Sequence, residues 1–199
     1  MIAVIDYQAG NIGSVANALK KLGVEYTVTG DPLVIKRADG IIFPGQGRAG
    51  PAMDSLHASG ISDVLLSLSQ PFLGICLGMQ LMVEKLDEDN RSGLGIIPGE
   101  CRKLENVSPI PHMGWNSLHV AKKSQLLNNV ASGEYVYFAH SYAVKTDEDF
   151  VAATTDYGGR FAAVVTKDNF FGLQFHPEKS AAVGEQILKN FMDICKENK

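Results

Sequence analysis

The sequence lacks most of what would tie a chain to nucleic acid, to membranes or to an oxidising compartment. Its 18 lysines and arginines are scattered among 22 acidic residues with no basic block, and the net charge is −4. Long-range attraction to nucleic acid or anionic lipid is therefore not expected. No stretch approaches the roughly 20 apolar residues that cross a bilayer. The opening MIAVIDYQAG has no basic segment ahead of a long apolar run, so a cytoplasmic protein is expected. Cys76, Cys101 and Cys195 are an odd count without a C-x-x-C pair, which suits reduced thiols better than a disulfide framework. The five histidines form no H-E-x-x-H or Cys/His cluster, which argues against a metal site. Linkers, internal repeats and low-complexity segments are also missing, and residues 1–199 are expected to form one domain.

What is present in the first half alternates. IAVID (2–6) is a short apolar strand pattern. NIGSVANALKKLG (11–23) then places Ile12, Val15, Leu19 and Leu22 at helical spacing, with Gly23 as a stop. VEYTVTG (24–30) and GIIFPG (40–45) are strand patterns, helical patterns fill 50–69, and FLGIC (72–76) is a further buried strand. Strands alternating with helices predict an open, mostly parallel twisted α/β sheet with helices on both faces and ligands at the carboxyl ends of the strands. Beyond about residue 92 the pattern becomes β-rich: YVYFAHSYAVK (135–145), VAATTDYG (151–158), FAAVVTK (161–167) and FFGLQFH (170–176) predict antiparallel strands and hairpins. The last 20 residues carry Val183, Ile187, Phe191 and Ile194 on one face of a helix that must dock on the sheet.

One cysteine stands apart. Gly74-Ile75-Cys76-Leu77-Gly78 has the G-x-nucleophile-x-G form of a strand-to-helix elbow. A helix over roughly Gly78 to Leu86 would direct its positive N-terminus at the sulfur and favour the thiolate. Cys101 and Cys195 have no such frame and fit the role of small buried hydrophobes. In LQFHPEKS (173–180), His176 ends an apolar strand, and Pro177 fixes the chain so that Glu178 can reach the imidazole. That supplies a proton carrier and a group to orient it. FPGQGRAG (43–50) follows the third strand, where an amide from Gly45 to Gly47 and the amide of Leu77 can converge on an oxyanion. His57 and His119 receive no role.

These residues together, G-x-C-x-G-x-Q at 74–80, P-G-x-G at 44–47 and H-P-E at 176–178, resemble the triad-type (class I) glutamine amidotransferases over nearly the whole chain. The resemblance implies a flavodoxin-like sheet, no cofactor, and L-glutamine attacked by Cys76. His176 and Glu178 would complete the triad, with Gly47 and Leu77 as oxyanion donors. It also implies glutamine contacts from Gly45, Gln80, Glu84, His140, Ser141 and Tyr142. On the predicted helix Gln80 and Glu84 are i and i+4 and share a face. DYQAGNIGS (6–14) and PHMGWN (111–116) are further similar to the glutaminase subunit of imidazole glycerol phosphate synthase. By that likeness the Pro-flanked loop with His112, Met113 and Trp115 meets a (β/α)8-barrel cyclase as a heterodimer. Asn11, Tyr137 and Lys179 would lie at the same interface and ammonia exit. Gln46 departs from the apolar residue common at its place in P-G-x-G. Two alternatives stay open: a glutaminase serving a pyridoxal phosphate, anthranilate or para-aminobenzoate synthase, and a catalytically silent regulatory subunit.

Overall fold

The computed structural model describes residues 1–7 and 12–198. Its central sheet has eight strands: β1 (Ile2–Ile5), β2 (Tyr26–Thr29), β3 (Gly40–Gly45), β4 (Phe72–Cys76), β9 (His119–Val120), β12 (Val151–Asp156), β13 (Arg160–Lys167) and β14 (Phe170–Leu173). They lie in the order β2-β1-β3-β4-β14-β13-β12-β9. The first five in that order run parallel, and the last three are joined antiparallel. The parallel part has the doubly wound order expected, its direction of winding reversing between β1 and β3.

The apolar runs of β1, β3 and β4 are buried at every position, because helices cover both faces of a parallel sheet. Side chains alternate between the two faces. Ala3, Ile5, Ile41 and Phe43 pack with α2 (Pro32–Arg37), α3 (Ala49–Ala58) and α4 (Ile61–Leu66). Ile2, Val4, Ile42 and Leu73 pack with α1 (Ile12–Lys21) and α6 (Ala181–Glu197). Of the predicted apolar stripes, Val15 and Leu19 on α1 and Ile187, Phe191 and Ile194 on α6 are buried. Gly23 ends α1 at φ +67°, donating to the Lys20 carbonyl. No helix among the described residues is long and apolar enough to cross a membrane.

Three expectations change. The helix after Cys76, α5, is one turn (Leu77–Gln80), and the segment predicted to continue it is a strand, β5 (Val83–Leu86). It pairs with β6 (Arg91–Ser92) and β7 (Ile97–Lys103), which joins β11 (Tyr142–Lys145) in a four-stranded sheet. Tertiary pairing has overridden the local helical pattern. Glu84 consequently does not share a face with Gln80; its exposed carboxylate accepts from the Gly99 amide, outside the Cys76 cleft. PHMGWN is likewise no loop: β8 (His112–Ser117) pairs antiparallel with β10 (Tyr135–His140). Asn11 lies outside the described residues.

Candidate active site

The glycines around Cys76 are required by contact as well as by conformation. A Cβ on Gly74 would come within 2.7 Å of the Gly78 backbone, and one on Gly78 within 2.1 Å of the Phe43 carbonyl. One on Gly45 would come within 2.6 Å of the Gly78 nitrogen. Strands β3 and β4 and helix α5 therefore meet backbone to backbone. Cys76 occupies the corner at φ 53°, ψ −105°, a region that an ordinary side chain enters only when its surroundings hold it there. Gly45 is the register partner of Cys76, so the Gly45-Gln46-Gly47 turn runs beside the elbow. The Leu77 amide opens the helical turn, where N–H groups have no intrahelical acceptor. The Tyr7 hydroxyl, buried against Phe43, faces the Gln46 carbonyl at 3.5 Å. Burial pushes its pKa up to about 12, outweighing the lowering by a backbone hydrogen bond at Gln46.

Strand β14 delivers the other half. Three residues beyond it, His176 is buried, its Nδ1 2.9 Å from Glu178 Oε1, and Glu178 lies in the single 3-10 turn Pro177–Lys179 between His176 and Ser180. The Glu178 side chain is only 1% exposed. Burial would lower the His176 pKa, but hydrogen bonding to Cys76 and Glu178 and the charge of both outweigh it, raising it to about 10. The imidazolium is thus the favoured form between two acidic partners. Cys76 Sγ also lies 3.9 Å from the Ala139 carbonyl and 3.8 Å from Gln174 Nε2.

A second buried chain of polar groups reaches the same corner from β8. Asn116 Nδ2 is 3.4 Å from His112 Nε2, His112 Nδ1 is 3.1 Å from His140 Nε2, and His140 Nδ1 is 2.8 Å from the Tyr142 carbonyl. A carbonyl only accepts, so His140 carries its proton on Nδ1, His112 donates from Nδ1, and Asn116 donates to His112 Nε2. Both imidazoles are neutral in this arrangement. Burial lowers His112 to about 4. It lowers His140 to about 3, more than the Tyr142 carbonyl restores, and the charges of His112 and His176 add to the lowering. Rings fix His112 from both sides, Tyr157 at 3.9 Å and Phe138 at 4.8 Å between centroids. The Tyr142 carbonyl also receives Gln80 Nε2 at 2.8 Å.

These groups surround a cleft of about 340 Å³ lined by Gly45, Gly47, Leu77, Gln80, Ser141 and Tyr142, with Cys76, His140 and His176, small among ligand clefts. The expected residues Gly45, Gly47, Leu77, Gln80, His140, Ser141 and Tyr142 are thus brought to the triad, whereas Glu84 is not. The carboxylate that does line the cleft is Glu88, whose Oε2 accepts from the Ala49 amide at 2.7 Å. Sequence reasoning missed it because it lies beyond β5 in a turn that no helical spacing points to. Gln174, beneath the cleft floor, was missed too, although the strand predicted over 170–176 would have put it on the same side as His176; in the fold both lie beyond β14. A larger hollow of about 790 Å³, rimmed by Arg102, Lys103, Lys122 and Lys145, contains none of the triad. Met113 and Trp115 are 64% and 52% exposed beside the cleft mouth, with Tyr137 edge-on to Trp115 at 6.0 Å and Lys179 Nζ 5.7 Å over the Tyr137 ring.

A family-wide sequence profile described as glutamine amidotransferase class-I matches residues 3–195. The chain belongs to the class-I glutamine amidotransferases. Within that family it is 50% identical to imidazole glycerol phosphate synthase subunit HisH 2 of Legionella pneumophila (strain Paris), over 98% of either chain. It is 46% identical to the HisH subunit of Archaeoglobus fulgidus, over 98% of this chain and 100% of the relative, and 48% identical to that of Bacillus cereus (strain ATCC 14579), over 98% and 95%. The amidotransferase fold is also met at low identity. A solved glutamine amidotransferase superposes with a TM-score of 0.77 at 16% identity, covering 98% of this chain and all of that one. PurLQS from Thermotoga maritima superposes at 0.76 and 19%, covering 96% and 97%.

Proposed function

We infer that the chain, as one domain over residues 1–199, is the HisH-type glutaminase subunit of a cytoplasmic imidazole glycerol phosphate synthase. It hydrolyses L-glutamine to glutamate and ammonia. Cys76 attacks the side-chain amide carbon, and the Gly47 and Leu77 amides meet the oxygen that becomes negative. His176 gives its proton to the departing nitrogen, leaving a γ-glutamyl thioester on Cys76. It then takes a proton from the water that releases glutamate, while Glu178 holds the ring in line. Gln80, His140, Ser141, Tyr142 and Gly45 shape the pocket around the substrate, and Glu88 offers a carboxylate to its α-ammonium group. The ammonia passes to a (β/α)8-barrel cyclase bound as a heterodimer over Met113, Trp115, Tyr137 and Lys179, and is used in the formation of imidazole glycerol phosphate and aminoimidazole carboxamide ribonucleotide.

The observation that carries this reading is the convergence of Cys76, His176-Glu178 and the Gly45-Gln46-Gly47 turn at one sheet edge, in a chain half identical to HisH along its length. Rotation of the Gln46–Gly47 peptide would present or withdraw an oxyanion donor, so the chain without its cyclase should be nearly idle. Glutamine turnover with and without the cyclase and its nucleotide ligand, repeated for Cys76→Ala, tests the reading. Turnover that rises only in the full complex and vanishes with Cys76→Ala is expected. Equal turnover in the isolated chain, or turnover surviving Cys76→Ala, would contradict it.

A further inference from the structure

We propose that Gln174 is a further catalytic residue: its buried carboxamide donates to Cys76 Sγ from beneath the cleft and holds the sulfur as thiolate while keeping Gln80 in place. This rests on Cys76 being the nucleophile. The register explains how Gln174 arrives there. Leu173 of β14 pairs with Ile75 of β4, and the next residue of each segment, Gln174 just past β14 and Cys76 at the end of β4, come together with 3.8 Å between Nε2 and Sγ. Gln174 is fully buried and does not line the cleft, so it does not reach substrate. A buried amide costs several kcal/mol unless it is hydrogen-bonded, and the bonds it makes here lead to the reacting atom.

The direction of those bonds follows from one carbonyl. Gln80 Nε2 lies 2.8 Å from the Tyr142 carbonyl oxygen, which only accepts, so the nitrogen end of Gln80 faces this corner. The same Nε2 is 3.2 Å from Gln174 Oε1. The oxygen of Gln174 is thereby turned to Gln80 and its NH2 toward Cys76, with Nε2 3.8 Å from Sγ. A thiol can donate to the Ala139 carbonyl at 3.9 Å. A thiolate is repelled by that oxygen and instead accepts from Gln174 Nε2 and from the His176 imidazolium. Gln174 thus favours the ionised sulfur with a neutral donor that needs no proton of its own.

Other titratable groups stand around the sulfur. His176, with Glu178 behind it, lies on the turn after β14, Tyr7 follows β1, Cys101 comes from β7 and His140 from β10, and Glu88 and Lys179 stand at the cleft. All are retained in the test. The rate of alkylation of Cys76 by iodoacetamide is followed across pH in the full-length chain, for wild type, Gln174→Met and Gln174→Glu. Buried Cys101 and Cys195 are separated by peptide mass, with Cys76→Ala as blank. Gln174→Glu keeps an acceptor for Gln80 and loses the donor to sulfur; Gln174→Met loses both.

Both variants should need a pH higher by about one unit or more for the same rate, and glutamine kcat in the cyclase complex should fall about tenfold to a hundredfold, the worth of a hydrogen bond to a charged group. KM in Gln174→Glu should change far less than kcat. Profiles that superimpose on wild type would overturn the proposal, and so would a shift in Gln174→Glu alone, since the added charge then accounts for it. Should neither variant fold, the Gln174 side-chain amide protons are followed by NMR in the folded wild type. They should shift in step with the alkylation profile and stay still in Cys76→Ala; no shift in wild type would overturn the proposal. Alkylation reads the sulfur without glutamine, so a reactive Cys76 indifferent to Gln174 is distinct from a chain that never hydrolyses glutamine.

Discussion

At the scale of single residues, the proposed chemistry depends on how His176 is charged. Its pKa is raised to about 10 in the folded chain, from an ordinary value near 6.5, because Cys76 and Glu178 outweigh the cost of burial. A raised folded-state pKa gives stability that is complete below about pH 6.5 and is lost as pH rises toward 10. The stability lost in Glu178→Gln should therefore be about 1–3 kcal/mol near neutrality and shrink toward pH 10, as followed by denaturant unfolding. The alkaline limit of glutamine turnover in the complex should move to lower pH in the same variant. Cys76, His176 and Glu178 were legible in the sequence because each stands in a short local motif, and the turn at Pro177 makes the last two neighbours. Gln174 and Glu88 were not, since their places depend on which strands pair and on where the chain turns after β5.

Between elements, the site depends on backbone contact. Strands β3 and β4 and helix α5 approach closely because Gly45, Gly74 and Gly78 have no side chains. Gly78→Ala would press a methyl group into the Phe43 carbonyl and should cost about 1–3 kcal/mol or more in thermal or denaturant unfolding, with turnover falling further because the elbow itself must move. The parallel core was legible for a simple reason: strands buried on both faces are continuous apolar runs, and the helices between them keep a 3.6-residue stripe. The strands β5 to β9 were not, since VEKL and HMGWNS have no clean alternation and are held by pairing with distant segments. The His112–His140 pair spans β8 and β10 as two neutral imidazoles with pKa values lowered by burial to about 4 and about 3. Here the unfolded chain takes up protons first, so stability should fall as pH drops from about 6.5 toward 4. Replacing His140 with Asn should flatten that slope in thermal unfolding followed over this range, whatever its effect at neutral pH.

For the whole molecule, the large apolar side chains left exposed include Leu33 on α2 and Leu66 on α4 as well as Met113 and Trp115 near the cleft mouth. Met113 and Trp115 project from β8 with Tyr137 and Lys179 beside them, and exposed Trp, Tyr and Met together are of the kind enriched at protein interfaces. Trp115→Ala should leave the unfolding temperature within a few degrees of wild type. It should weaken the cyclase complex by about 2 kcal/mol or more, some 30-fold in Kd by titration calorimetry. The charge balance and the absence of a basic block bear on partners in general; only the family likeness points to a cyclase, because an interface with another chain leaves no periodic signal in one sequence. The chemistry proposed for the cleft begins with attack of Cys76 on the side-chain amide of glutamine. Its most direct test is the intact and peptide mass of the chain after treatment, in the cyclase complex, with a diazoketone analogue of glutamine. One covalent adduct, on Cys76, is expected, with glutamine turnover lost in proportion to labelling. Full loss of turnover with the adduct on another residue, or labelling of Cys76 that leaves turnover intact, would contradict it.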